Sequence, residues 1–169
     1  MSLYRQAHPL VASKATPLTY SAAPRAYLIG LSTFQKQPLL GDYEQGSLRL
    51  NDCGLIVADE WARSAANRKG IAIDAWSITP NRLDSIVFLQ VPLTPTADLP
   101  DSWVPRLGSP KPWILSSFIA SFKAAAAKRI NLRLNQVGQS VWQRNYDERL
   151  ITDEARLSQL RQQFQAAKS

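Results

Sequence analysis

The chain holds one histidine and one cysteine among 169 residues. No zinc finger, paired-histidine metal site or disulfide framework can be assembled from that inventory. A catalytic histidine would have to be His8, within the first ten residues, where chain ends make a poor buried active centre. Cys53 has no second cysteine to pair with, as suits a reducing compartment. The seven glycines are scattered. They form no GxGxxG, Walker-type or GxSxG pattern, so neither a phosphate-cradling loop nor a nucleophile elbow is expected. Acidic residues stand mostly alone. The adjacent pairs Asp59-Glu60, Asp147-Glu148 and Asp153-Glu154 would not face each other on a helix, which argues against a paired-carboxylate acid–base site. Apolar runs such as Ile86-Val87-Phe88-Leu89 have strand length and fall far short of the ~18 residues of a membrane span. The first twenty residues lack the roughly 7–15-residue apolar core of a secretory signal. A cytoplasmic protein without a membrane span is expected.

What is present suits one globular domain. Hydrophobic residues make up 45% and charged residues 20% of the chain, and the length allows a sizeable core. Residues 1–25, with Pro9, Pro17 and Pro24, read as an irregular arm, leaving 26–169 as the domain. Ala26 to Thr33 reads as a buried strand. Leu39–Tyr43 and Ser47–Leu50 flank Glu44-Gln45-Gly46 as a hairpin, with the glycine supplying a positive φ. Asn51-Asp52 opens a helix whose stripe is Leu55, Val57, Ala58, Trp61, Ala62 and Ala65, and Arg68-Lys69-Gly70 reads as its stop. Ile71–Ile78 and Ser85–Val91 read as an antiparallel strand pair about a turn over Thr79–Arg82. Six prolines between Pro92 and Pro112 mark a connector that can be neither helix nor inner strand. A second helix is expected from Trp113 to about Leu134, a short strand or extended piece over Val141–Arg144, and a third helix from Thr152 to about Ala167. Mixed elements without a strict βαβ repeat predict an α+β fold with an antiparallel sheet and helices packed on one face.

The charge is uneven along the chain. Residues 1–102 carry nine Lys+Arg and nine Asp+Glu, a net of zero, whereas residues 103–169 carry eleven and four, a net of +7. Lys123, Lys128, Arg129 and Arg133 recur along the second helix, and Trp142, Arg144 and Tyr146 follow. Cations interleaved with aromatics suit a nucleic-acid surface, where the cations meet phosphates and the rings can stack on bases. The alternative is a solvated basic helix face above a core that holds the aromatics.

Several segments resemble the IS200-like transposase family, and in particular its branch of REP-associated tyrosine transposases. Leu50-Asn51-Asp52-Cys53-Gly54-Leu55-Ile56-Val57, ending in Glu60-Trp61, is similar to that branch's "LNdaGkiv…eW" helix start. Phe122-Lys123-Ala124-Ala125 through Arg129-Ile130-Asn131, followed by Val141-Trp142-Gln143-Arg144-Asn145-Tyr146, is similar to its "fKaa…rrIN…vWQrNYyEh" stretch. Pro24 to Leu31 resembles its "pGaYfvT" strand. The resemblance spans about residues 24–165, and VWQRNY is its most specific element.

The resemblance implies a ferredoxin-like domain. It also implies two histidines, one residue apart, holding a divalent metal in a "mPNHvHgi" turn, and a nucleophilic tyrosine about two turns into the last helix. Here the matching turn is Thr79-Pro80-Asn81-Arg82-Leu83-Asp84-Ser85-Ile86. Arg82 and Asp84 replace the histidines, and Gln163 stands at or near the nucleophile position. Tyr146 aligns with an aromatic that is not the nucleophile. The expectation is therefore a catalytically silent relative without a metal cofactor. It would bind hairpin or single-stranded DNA through Lys123, Lys128, Arg129, Arg133 and Arg144. Two alternatives stand beside it. In one, the fold serves as a protein-interaction subunit docking an acidic partner. In the other, a residual metal-dependent nuclease works through Asp84. A homodimer is compatible with each.

Overall fold

The computed structural model describes residues 24–66, 68–90 and 113–167. The arm expected before Pro24, His8 and the Pro-rich connector at 92–112 lie outside the described residues.

Strand β1, Arg25–Ser32, is the near-continuous apolar run expected of a strand covered on both faces. A tight turn over Phe34–Lys36 follows. Strands β2, Gly41–Glu44, and β3, Ser47–Leu50, form the expected hairpin. Its two-residue turn has Gln45 at φ 50° and Gly46 at φ 81°, the doubly left-handed geometry that matches strand twist. Helix α1, Asp52–Ser64, begins where Asn51 accepts the Gly54 amide at 3.0 Å, a cap worth ~1 kcal/mol. It ends before the expected stop: Arg68-Lys69-Gly70 lies in the turn leading to β4, with Gly70 at φ 80°. Strands β4, Ile71–Thr79, and β5, Arg82–Leu89, are antiparallel. A bulge in β4 lies between Ile73 and Trp76. Helices α2, Trp113–Leu134, and α3, Glu154–Ala166, flank strand β6, Asp147–Ile151.

The main sheet runs β4-β5-β1-β6, antiparallel throughout. With β2–β3 set aside as an insertion, β1-α1-β4-β5-α2-β6 is a βαββαβ unit in the ferredoxin-like order. The fold class is α+β, as expected.

Alternate residues of the central strands face opposite layers. Tyr27, Ile29, Leu31, Leu83, Val87 and Leu89 pack against α1 and α2, in one cluster with Trp61, Phe118 and Phe122. Trp61 meets Phe122 edge-on at 4.7 Å and Phe118 at 5.4 Å between ring centroids, contacts worth about 0.5–1.5 kcal/mol each beyond their buried area. Trp61 Nε1 also donates to the buried Ser85 hydroxyl at 3.2 Å.

One expectation needs correction, and one open alternative is decided. The helices do not all lie on one face. Leu157, Leu160 and Phe164 of α3 pack with Ala26, Ile86, Leu28 and Phe88, on the side opposite α1 and α2. The reason is the two-sided hydrophobicity of β1 and β5, which leaves a second apolar surface to be covered. Residues 141–144, expected as a short strand or an extended piece, form the extended piece, and the strand that completes the sheet is Asp147–Ile151. Val141 and Trp142 are both buried, with no alternation, and Trp142 contributes only an isolated bridge to Thr33.

Candidate functional site

Arg82 opens β5 directly across from Ser32 at the end of β1, and Asp84 lies across from Gly30. On the other side of β1, Gly30 is also the partner of Asp147 in β6. Directly opposed residues in a sheet project to the same side, so these side chains converge on the α3 face. The Arg82 guanidinium divides between three oxygens. Nε donates to Asp84 Oδ1 at 2.8 Å, one terminal nitrogen to Asp147 Oδ2 at 2.8 Å, and the other to Ser32 Oγ at 3.2 Å. Gly30 makes this possible, because a Cβ at that position would overlap the guanidinium. A glycine inside a strand often marks such a close approach.

The metal that the family resemblance implies does not fit these residues. Arg82 is a permanent cation whose donors engage the oxygens a divalent ion would need. Among the described residues no group of three His, Cys, Asp or Glu side chains could hold one. Burial raises the Asp84 carboxyl above its ordinary range despite the opposing pull of Arg82, and the neighbouring Asp147 charge adds to the rise.

Gln163 lies on the same side of the sheet. Arg161 marks one flank of α3, bonded to Asp74 Oδ2 at 2.6 Å and lying 5.8 Å over the Phe88 ring. The other flank carries Arg156 and Leu160, which line a shallow cleft of about 150 Å³ with Leu28, Arg149 and Leu150. Gln163 is seven residues beyond Arg156, hence on that second flank, and is exposed. Among the described residues no side-chain hydrogen bond joins it to Arg82 or Asp84.

The five basic residues do not form one free surface. The Lys123 ammonium donates to the carbonyls of Gln143 at 2.6 Å, Arg144 at 3.2 Å and Asn145 at 3.5 Å, and it lies 5.9 Å from the Tyr146 ring. Its burial lowers its pKa. Arg129 bridges from α2 to α1, bonding Asp59 at 2.6 Å and Glu60 at 2.8 Å. The Asp59 carboxyl is held below its ordinary range, chiefly by that hydrogen bond. Arg133 pairs with Asp52. Lys128 and Arg144 are exposed and have no side-chain partner among the described residues.

The 141–146 segment is largely a packing device. Trp142 meets Phe122 at 5.7 Å. Tyr146 Oη lies 3.2 Å from Ser116 Oγ and donates to Glu148 Oε2 at 3.0 Å. Asn131 Nδ2 holds the preceding loop through the Gln139 carbonyl at 2.9 Å.

No family model matches the chain. It is 28% identical over 143 residues to an uncharacterized protein of Haemophilus influenzae, covering 82% of this chain and 77% of that one. Among solved structures it is similar to a proposed transposase from Deinococcus radiodurans R1, with a TM-score of 0.45 and 14% identity, over 87% of this chain and 93% of that one. It is also similar to a REP-associated tyrosine transposase bound to a REP hairpin, with a TM-score of 0.47 and 13% identity. That match covers 83% of this chain and 64% of that one, so the chain spans somewhat under two thirds of the second structure's length.

Sequence reasoning named Arg82 and Asp84 but missed Asp147, Ser32 and Gly30. Asp147 is 63 positions from Asp84, and no local pattern signals their meeting. The one available signal was Gly30, an isolated glycine within an apolar strand run.

Proposed function

We propose that this chain is a transposase-like DNA-binding domain without catalytic activity, which takes up hairpin or single-stranded DNA. One observation carries the proposal. At the two positions where the family resemblance calls for metal-binding histidines, the side chains close on each other as an internal ion pair, while Lys128 and Arg144 face solvent. Lys128, Arg129, Arg133 and Arg144 supply the phosphate contacts. The ion pairs of Arg129 and Arg133 lie at the surface, where such pairs are worth about 0–1 kcal/mol, so phosphates can replace their carboxylate partners. Lys123, also expected on sequence grounds to meet phosphate, acts by holding the backbone that presents Arg144. Gln163 offers no nucleophilic hydroxyl, and no metal cofactor takes part. Among the described residues no helix is long and apolar enough to cross a membrane.

The test is a titration of hairpin DNA across a salt series, read by gel shift. The expected outcome is micromolar or tighter binding that weakens steeply with salt, as counterion release requires. Absence of binding at low salt refutes the proposal. Incubation with hairpin DNA and Mg²⁺ or Mn²⁺ tests the silence: a covalent protein–DNA adduct or nicked DNA refutes it. Nicking that vanishes in Asp84→Ala would instead favour the residual nuclease, a reading weakened by the bond from Asp84 to Arg82.

A second reading has its own observation. Leu132, 66% exposed, and Val137, 82% exposed, sit at the C-terminal end of α2 beside Arg133. Apolar side chains next to a cation suit an acidic protein partner or a second copy of the chain. A stoichiometric protein that co-purifies through nuclease treatment would favour it.

A further inference from the structure

We infer that the turn Phe34–Lys36, with Arg144 and Asn145 beside it, is a seat for an unpaired nucleotide, in which the Phe34 ring stacks on the base while Lys36 and Arg144 hold the flanking phosphates. This rests on the DNA-binding proposal and assigns a site to it.

The turn is braced by hydrogen bonds, and its side chains are exposed. The Phe34 amide donates to the Val141 carbonyl at 2.8 Å, and the Gln143 amide to the Ser32 carbonyl at 2.9 Å. The turn thus lies alongside the segment that carries Arg144. The Thr33 hydroxyl, fully buried, donates to the carbonyls of Gln37 at 2.7 Å and Asn81 at 3.2 Å. Asn81 Nδ2 donates to the Lys36 carbonyl at 3.3 Å. So braced, the backbone holds Gln35 at φ 52° and Lys36 at φ 54°, a left-handed conformation that non-glycine residues adopt only at a cost. The result is outward presentation: Phe34, Gln35, Lys36, Arg144 and Asn145 are all exposed. None has a side-chain hydrogen bond or ion pair among the described residues.

The composition of this surface identifies its ligand. Phe34, 39% exposed, is the one exposed phenylalanine among the described residues; the other four are buried or half-buried. An aromatic face between cations is the chemistry that binds unpaired bases without reading sequence, and the amides of Gln35 and Asn145 can meet base edges. A double helix keeps its base faces stacked and offers no such contact. The Arg82 fork lies next to the turn, since the Thr33 amide donates to the Asn81 carbonyl at 3.0 Å. Its guanidinium offsets one of the two carboxylate charges that would otherwise repel phosphate there.

The experiment is fluorescence anisotropy of the full chain with a labelled oligothymidine of roughly twelve nucleotides, with duplex DNA of the same length as competitor. Phe34→Ala is expected to weaken binding about tenfold with an unchanged salt slope, and Phe34→Trp to retain it. Lys36→Gln and Arg144→Gln, at exposed positions, are each expected to reduce the salt slope by about 0.7. Wild-type binding that Phe34→Ala leaves intact, or that duplex competes away equally well, overturns the seat and spares the DNA-binding proposal. Failure of the wild-type chain to bind any DNA at low salt overturns both.

Discussion

Replacing Arg82 with methionine keeps an unbranched apolar stem and removes the guanidinium, so the oxygens it serves lose their cation. The three arms are unequal. The Asp147 carboxylate is 70% exposed, and its loss costs about 0–1 kcal/mol, as for surface pairs. Arg82 and Asp84 are 33% and 25% exposed. Their pair lies between that surface value and the ~3–5 kcal/mol cost of breaking a fully buried one, so about 2 kcal/mol is expected. The Ser32 arm adds up to about 1 kcal/mol. A total of roughly 2–4 kcal/mol corresponds to a fall in Tm of about 4–16 °C for a domain of this size. Equilibrium unfolding in urea, followed by tryptophan fluorescence, measures it. Adding Asp84→Asn removes the stranded charge and should restore about half of the loss. Gly30→Ala inserts a Cβ where the guanidinium lies. It should therefore destabilise the wild-type chain but add little to Arg82→Met, a non-additivity that marks a shared interaction. A stability of Arg82→Met within about 0.5 kcal/mol of wild type, or simple additivity with Gly30→Ala, would refute the reasoning.

Three further outcomes follow from the geometry. Lys123→Met, which strips the carbonyls of residues 143–145 of their shared donor, should cost about 2 kcal/mol and lower Tm by about 4–8 °C in a thermal melt. Trp61→Phe should cost more than Trp142→Phe in urea unfolding, because Trp61 Nε1 bonds the buried Ser85 hydroxyl while the buried Trp142 Nε1 has no partner among the described residues; equal losses would count against it. The carboxyls of Asp84 and Asp59 should give opposite pH signatures. Asp84 is raised above 3.8 when folded. The native state then binds its proton more tightly, so the contribution of Asp84 falls as pH rises from 3.8 through its folded value. Asp59 is lowered below 3.8. Its contribution is present above 3.8 and disappears as pH falls through its folded value. Melting curves of Asp84→Asn and Asp59→Asn across acidic pH should each lose the corresponding slope, and a variant that keeps the wild-type profile refutes its assignment.

The elements were legible where local chemistry decides them. The Asn51 cap, the Gln45-Gly46 turn, the apolar stripe through Trp61 and the paired strands about Pro80-Asn81 all form as their residues require. The sequence leaves residues 141–144 open between a strand and an extended piece because their side chains answer to distant partners. Trp142 is drawn into the core by Phe122, and the carbonyls beside it are held by Lys123. The opposite placement of α3 was missed because a nearly continuous apolar strand reports two covered faces without saying which helix covers which. Of the candidate site, Arg82 and Asp84 were visible through the family resemblance. Phe34 and Lys36 were not, since their exposure depends on the bracing of the turn by Thr33 and Asn81.

The sequence by itself determined the order of strands and helices, the absence of a histidine pair, and the concentration of the whole +7 excess in residues 103–169. Only the tertiary structure decided where that charge goes. Arg129 bonds Asp59 and Glu60, Arg133 bonds Asp52, and Arg161 bonds Asp74, while Asp147 receives Arg82. In each case one partner comes from the neutral first part of the chain and the other from the basic last part. Ion pairing depends on distance through space, and an antiparallel sheet with helices on both faces brings together residues 65 to 87 positions apart. Part of the imbalance along the chain thus becomes a set of cross-ties between its two parts, while Lys128, Arg144, Arg149 and Arg156 face solvent.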